Sequence, residues 1–153
     1  MNLLAFDTST DTLSIAVARG AAQWQHSGPG GAQASATLLP AIRQLLAEAG
    51  LALGDLDAIA FGRGPGSFTG LRTACAVAQG LAFGAGGGRG VPVLPIDTLA
   101  AVAEAARQQY GSPVVLAVLY ARMNDVYLAR YPLLGRAWLC PGTGVAGDRP
   151  PRA

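Results

Sequence analysis

The stretch that most constrains this chain is Asp57-Ala58-Ile59-Ala60-Phe61, followed by Gly62-Arg63-Gly64-Pro65-Gly66-Ser67-Phe68-Thr69-Gly70 and an alanine-rich segment from Leu71 to about Phe83. An apolar run of strand length, a glycine-rich loop and a helix-length segment make a strand-loop-helix unit. Open α/β folds are built on this connection and bind phosphates at it. The loop is not a Walker A loop, because Leu71-Arg72 follows Gly70 where Lys and a hydroxyl residue are required. It is not a dinucleotide fingerprint either, since Ser67 or Thr69 stands where the last glycine belongs. Two readings stay open: a tight turn with Ser67 or Thr69 as N-cap, or an anion site.

The elements around this unit follow from periodicity. Leu3-Leu4-Ala5-Phe6 runs into the polar turn Asp7-Thr8-Ser9-Thr10-Asp11, and Leu13, Ile15 and Val17 alternate as a half-buried strand. Ala22 to His26 supplies a third strand, so the chain opens as an antiparallel meander. From Ser35 to Ala49 the apolar positions Leu38, Leu39, Ile42, Leu45 and Leu46 recur at helical spacing, and Gly50 is placed to cap the end. Pro40 fits a helix that starts at Thr37, within its first turn. Beyond Phe83 come a strand from Val91 to Ile96, a helix from Thr98 to about Gln109 capped by Asp97 or Thr98, and strands at Val114 to Tyr120 and Val126 to Tyr131. From Pro132 to Ala153 four Pro and four Gly fall among residues with no periodicity, which predicts an unstructured tail. Strands followed by alternating helix and strand predict an α/β protein with a mixed sheet.

Composition excludes several classes. Hydrophobic residues make up 51% of the 153, which argues against disorder, and only 13% are charged, about half the usual share. All 11 basic residues are Arg and they are scattered, so the net charge of +2 marks no nucleic-acid stripe. Two cysteines, Cys75 and Cys140, make no disulfide framework, and a single histidine, His26, gives neither a zinc spacing nor a Ser-His-Asp arrangement. Cys75, among apolar helix neighbours, reads as an inert packed thiol. No signal peptide or membrane span is predicted, and a soluble cytoplasmic protein is expected. Asp7, Asp11 and Asp97 are candidates to converge at the strand ends, although turn and cap roles account for each.

Arg63-Gly64-Pro65-Gly66-Ser67-Phe68-Thr69-Gly70-Leu71-Arg72, with Phe6-Asp7-Thr8-Ser9 before it and Ala121-Arg122-Met123-Asn124-Asp125-Val126-Tyr127 after it, closely resembles the TsaB, or YeaZ, family of bacterial tRNA threonylcarbamoyladenosine biosynthesis proteins. The resemblance covers residues 1 to about 131. It implies the actin-like ATPase superfold of sugar kinases and actin, with a ribonuclease H-like N-terminal lobe at residues 1–112 and the start of a second lobe at 113–131. Residues 132–153 would be a disordered or non-native tail. Most of the second lobe is then missing, and the chain is expected to be truncated or shifted in reading frame after Pro132.

The resemblance also implies a function: a non-catalytic scaffold for a TsaD-like threonylcarbamoyltransferase, assisted by a TsaE-like ATPase, meeting tRNA through the complex and forming a homodimer when alone. No H-x-x-x-H metal pair of the catalytic members is present, and no metal or cofactor is implied. The motif loop, Asp7, Thr8, Ser9, Arg63, Gly64, Pro65, Gly66, Ser67, Thr69, Gly70 and Arg72, is expected to contact phosphate or partner. Pairing through the first two helices implies an interface at Ser35, Leu38, Leu39, Ile42, Leu71, Ala74, Cys75 and Ala78. The family often has His-Ser before this helix's Leu-Leu-Pro, whereas Ala34-Ser35 stands here. The rival reading is a small nucleotide-binding phosphotransferase or ATPase of the same superfold, using Asp7 with Thr8 to Thr10 and the Arg63 to Arg72 loop on phosphates.

Overall fold

Alternation along the strands builds the first layer. The structure, a computed structural model, describes residues 1–121, 125–134 and 137–138. Strands β1 (Asn2–Asp7), β2 (Thr12–Arg19) and β3 (Ala22–Pro29) form the expected antiparallel meander. Strands β4 (Ala58–Gly62) and β5 (Val93–Ile96) add in parallel beside β1, giving a mixed sheet in the order β3-β2-β1-β4-β5. Register pairs Leu4 with Val17 and Ile59, and Phe6 with Ile15 and Phe61, so the apolar residues of three strands share one face.

Two helices cover that face. Helix α1 (Ala34–Glu48) contributes Leu38, Ile42, Leu45 and Leu46 to the core, and α2 (Phe68–Gly84) contributes Ala74, Ala78 and Ala82. Burying a side chain such as Leu4 or Ile59 stabilises by roughly 1.5–3 kcal/mol, so this shared face, more than helix propensity, holds the unit together. Alanines at the α2 contact let its backbone lie close to the sheet. Helix α1 ends as its sequence predicts: Gly50 turns left-handed at φ +64°, and Arg19 Nη1 donates to the Ala49 carbonyl at 3.1 Å.

The chain divides into two compact units, Met1–Ile96 and Asp97 onward. In the second, α3 (Thr98–Tyr110) buries Leu99 and Ala103 against Ala117 of β6 (Val114–Tyr120) and Tyr131 of β7 (Val126–Leu134). Asp97 is the N-cap of α3: its Oδ1 accepts from the amides of Leu99 at 2.9 Å and Ala100 at 3.3 Å, and from the Tyr131 hydroxyl at 3.0 Å. One carboxylate therefore fixes both a helix start and a strand. Asp97→Ala is expected to lower stability by about 2 kcal/mol and Asp97→Asn by clearly less, since Asn caps nearly as well. Urea unfolding of the two variants measures the difference.

Several boundaries differ from the sequence reading. Helix α1 starts at Ala34, three residues before Thr37, so Pro40 lies in the helix interior. There the helix gives up one bond, to the Ala36 carbonyl, which sits among exposed residues open to water. Helix α2 begins at Phe68, because Ser67 accepts from the Gly70 amide at 3.5 Å and serves as N-cap. The compact units divide at residue 96, whereas the resemblance implies a lobe boundary at 112; α3 falls in the second unit because its apolar face is buried against β6 and β7. Within the stretch expected to be a tail from Pro132, β7 continues to Leu134, and β8 (Ala137–Trp138) pairs with it. Pro132 is tolerated because Leu133 donates to Pro113 across the ladder, which turns the ring nitrogen of Pro132 away from β6. Residues 122–124, 135–136 and 139–153, Cys140 among them, lie outside the described residues. Among the described residues no helix is long and apolar enough to cross a membrane.

Candidate functional site

The β1–β2 turn and the loop before α2 are packed into one another, and three glycines make that possible. A Cβ at Gly70 would overlap the Thr8 carbonyl oxygen, one at Gly66 the Ser9 carbonyl oxygen, and one at Gly62 the Asp7 carboxylate. Thr8 is fully buried and donates from Oγ1 to the Gly70 carbonyl at 2.8 Å. The Ser67 amide donates to the Ser9 carbonyl at 2.6 Å. Ser9 in turn donates its amide to Asp7 Oδ1 at 2.6 Å, an Asx turn. The loop itself bends at Gly64, φ +100°, followed by a cis Gly64–Pro65 peptide, and the Arg63 amide donates to Ile96.

This arrangement fits a structural junction better than an anion cradle. The close approach that glycine allows is spent on the neighbouring hairpin backbone. The Thr8 hydroxyl and the Ser9 and Ser67 amides, the donors a phosphate would take, already donate inside the junction. Thr10 does turn chemistry, with Oγ1 donating to the Thr12 carbonyl and accepting from the Thr12 amide. Among the described residues no group of three His, Cys, Asp or Glu side chains comes together. His26 is exposed on β3.

The two arginines of the motif project from this junction, and both are exposed. Arg72 lies over the Phe68 ring, its guanidinium carbon 5.2 Å from the centroid. Helix α2 thereby shows two opposite stripes. Gly70, Ala74, Ala78 and Ala82 are buried, while Phe68, Arg72, Ala76 and Gly80 are exposed. Phe83 extends the outer side and is 86% exposed, and Phe68 is 73% exposed. A groove on this face is lined by Phe68, Thr69, Arg72, Thr73 and Ala76.

That pattern divides the residues expected at the interface into two groups. Leu38, Ile42, Ala74 and Ala78 belong to the unit's own core, where helical packing against the sheet consumes them. Ser35 and Leu39 are exposed on α1, and Leu71 and Cys75 are half-buried on α2. Cys75 is a free thiol and is not fully packed away. The sequence reading missed Phe68 and Phe83 as surface residues. The fourfold spacing of the small residues held the signal: Gly70, Ala74, Ala78 and Ala82 mark the inner stripe, which sends Phe68 outward.

A protein-family model described as tRNA N6-adenosine threonylcarbamoyltransferase, TsaD, matches residues 26–142. The tRNA threonylcarbamoyladenosine biosynthesis protein TsaB of Haemophilus influenzae is 43% identical over 130 residues, covering 85% of this chain and 53% of that protein. Its counterpart from Escherichia coli is 38% identical over 131 residues, covering 86% and 55% respectively. The chain thus spans about half the length of the curated relatives it matches. Among solved structures, YeaZ from Pseudomonas aeruginosa superposes with a TM-score of 0.84 at 42% identity, covering 93% of this chain and 65% of that one.

Proposed function

The chain belongs to the TsaB/YeaZ family, and from that premise we propose that it is a scaffold subunit in the formation of threonylcarbamoyladenosine on tRNA, docking a TsaD-type threonylcarbamoyltransferase through α1 and α2. The observation that carries this reading is the outer stripe of α2, where two phenylalanines stand exposed on a helix whose opposite side is already committed to its own core. Large apolar side chains grouped on a surface mark protein interfaces. Helix α1 packs beside α2 and adds the exposed Leu39.

In this reading the subunit does no chemistry itself. Its contribution is geometric: the glycine junction fixes α2 on the hairpin, and α2 presents a preset surface to the catalytic partner. A rigid surface loses little freedom on binding. A TsaE-type ATPase and tRNA join through the assembled complex, the chain pairs with itself when the partner is absent, and the work takes place in the cytoplasm.

Mixing the chain with the TsaD-type protein of the same organism at micromolar concentration should give a stoichiometric complex on size exclusion. Separate elution of the two proteins would overturn the docking role. The purified chain alone should transfer no threonylcarbamoyl group to tRNA, and turnover without the partner would overturn the non-catalytic assignment.

A further inference from the structure

We propose that Arg72 selects the partner at this face, favouring a helix surface that brings a carboxylate over a second copy of this chain; this rests on the docking role proposed for α1 and α2. Helix α2 carries a single charged residue, Arg72, and neither Asp nor Glu. Helix α1 adds Arg43 and, in its last turn, Glu48, whose Oε1 accepts from Gln44 at 3.0 Å. The two helices together therefore carry two cations against one carboxylate, and that carboxylate has a neighbour of its own.

Arg72 forms no ion pair among the described residues. Its contact is the Phe68 ring, which supports one face of the guanidinium. A contact through the ring face takes up none of the guanidinium N–H donors, which stay available to a planar acceptor. The same residues line the groove with Thr69, Thr73 and Ala76, which gives an incoming side chain a place to sit. Arg72 also stands near the amino end of α2, where the helix dipole is positive. A carboxylate arriving there meets both the guanidinium and the helix end.

A second copy brings no carboxylate on its α2. Two-fold pairing that sets α2 against α2 gives Arg72 a helix without acidic residues, where it would lose water without gaining a counter-charge. A partner with Asp or Glu at the facing position forms a charge-assisted bond instead. Discrimination then comes from the penalty on the wrong pair as much as from attraction to the right one.

The test compares wild type, Arg72→Lys, Arg72→Gln and Arg72→Glu. Affinity for the TsaD-type protein is measured by calorimetry and self-association by sedimentation equilibrium, at low and high salt. Unchanged urea midpoints certify the fold of each variant. Relative to wild type, Arg72→Gln is expected to bind the TsaD-type partner about tenfold more weakly and Arg72→Glu about a hundredfold, with Arg72→Lys in between wild type and Gln. Self-association should hold or tighten in Arg72→Gln, and added salt should weaken the wild-type heterocomplex more than the Gln variant's. Equal affinity of wild type and Arg72→Gln for the partner, or equal loss in both complexes, overturns the selector role while leaving docking intact. No complex between the wild-type chain and the partner overturns both.

Discussion

Gly70→Ala is expected to destabilise the protein by about 3 kcal/mol or more, the largest effect of any single methyl in the first unit. The added carbon would overlap the Thr8 carbonyl oxygen, which is backbone and cannot rotate away. Relief requires shifting the hairpin or the first turn of α2, and the Thr8 hydroxyl bond to Gly70 resists both. Gly80 lies in the same helix with nothing near its missing side chain, so Gly80→Ala should stabilise by about 0.5–1 kcal/mol through helix propensity. Thr8→Val, which removes only the hydroxyl bond, should cost about 1 kcal/mol. Urea denaturation of the three variants separates steric from hydrogen-bond effects. A Gly70→Ala midpoint close to wild type would mean the junction is looser than the structure has it.

Replacing both Phe68 and Phe83 by Ser is expected to weaken binding of the TsaD-type partner by about a hundredfold or more, the scale on which interface aromatics act. Stability should hold or rise slightly, because both rings are exposed in the free chain. Ala78→Leu supplies the converse. It faces the sheet, so it should destabilise by about 1–3 kcal/mol, and whatever folded protein remains should still bind. Calorimetric titration alongside thermal unfolding distinguishes the two sides of α2. Full affinity in the double Ser variant would move the docking surface elsewhere.

Much of the fold was legible because burial on one side imposes a period. The alternation of Leu13, Ile15 and Val17 and the helical spacing of Leu38, Ile42 and Leu45 each marked an element that the structure contains. Asp97 was legible as a cap from its place before an apolar helix. The start of α1 was not, because Pro40 suggested a first turn where the chain already had two turns of helix. The continuation of β7 was hidden by Pro132, whose cost depends on which way its nitrogen faces, and a sequence does not show that.

The motif loop was legible as a place of close backbone approach but not as a set of roles. Glycines at 62, 66 and 70 announce that something approaches the backbone closely, and a phosphate or a neighbouring hairpin would require the same residues. Only the fold shows that Asp7, Ser9 and Thr8 occupy the space. Likewise an alanine-rich helix reads as a contact surface without saying for whom. Here the alanines serve the chain's own sheet, and Phe68, Arg72, Ala76 and Gly80 face outward.

The opposed stripes of α2 make its length as constrained as its composition. Removing one residue between Gly70 and Ala82 would turn everything beyond it by about 100°. Phe83 would rotate off the outer stripe and the downstream alanines off the sheet, so one deletion would damage core and surface together. Length variation is therefore expected to collect just past the helix, where Gly86, Gly87 and Gly88 turn through positive φ and two of them have open space beside them. Among relatives of this chain, α2 should behave as a ruler of fixed length, and the glycine segment after it as the place where insertions accumulate.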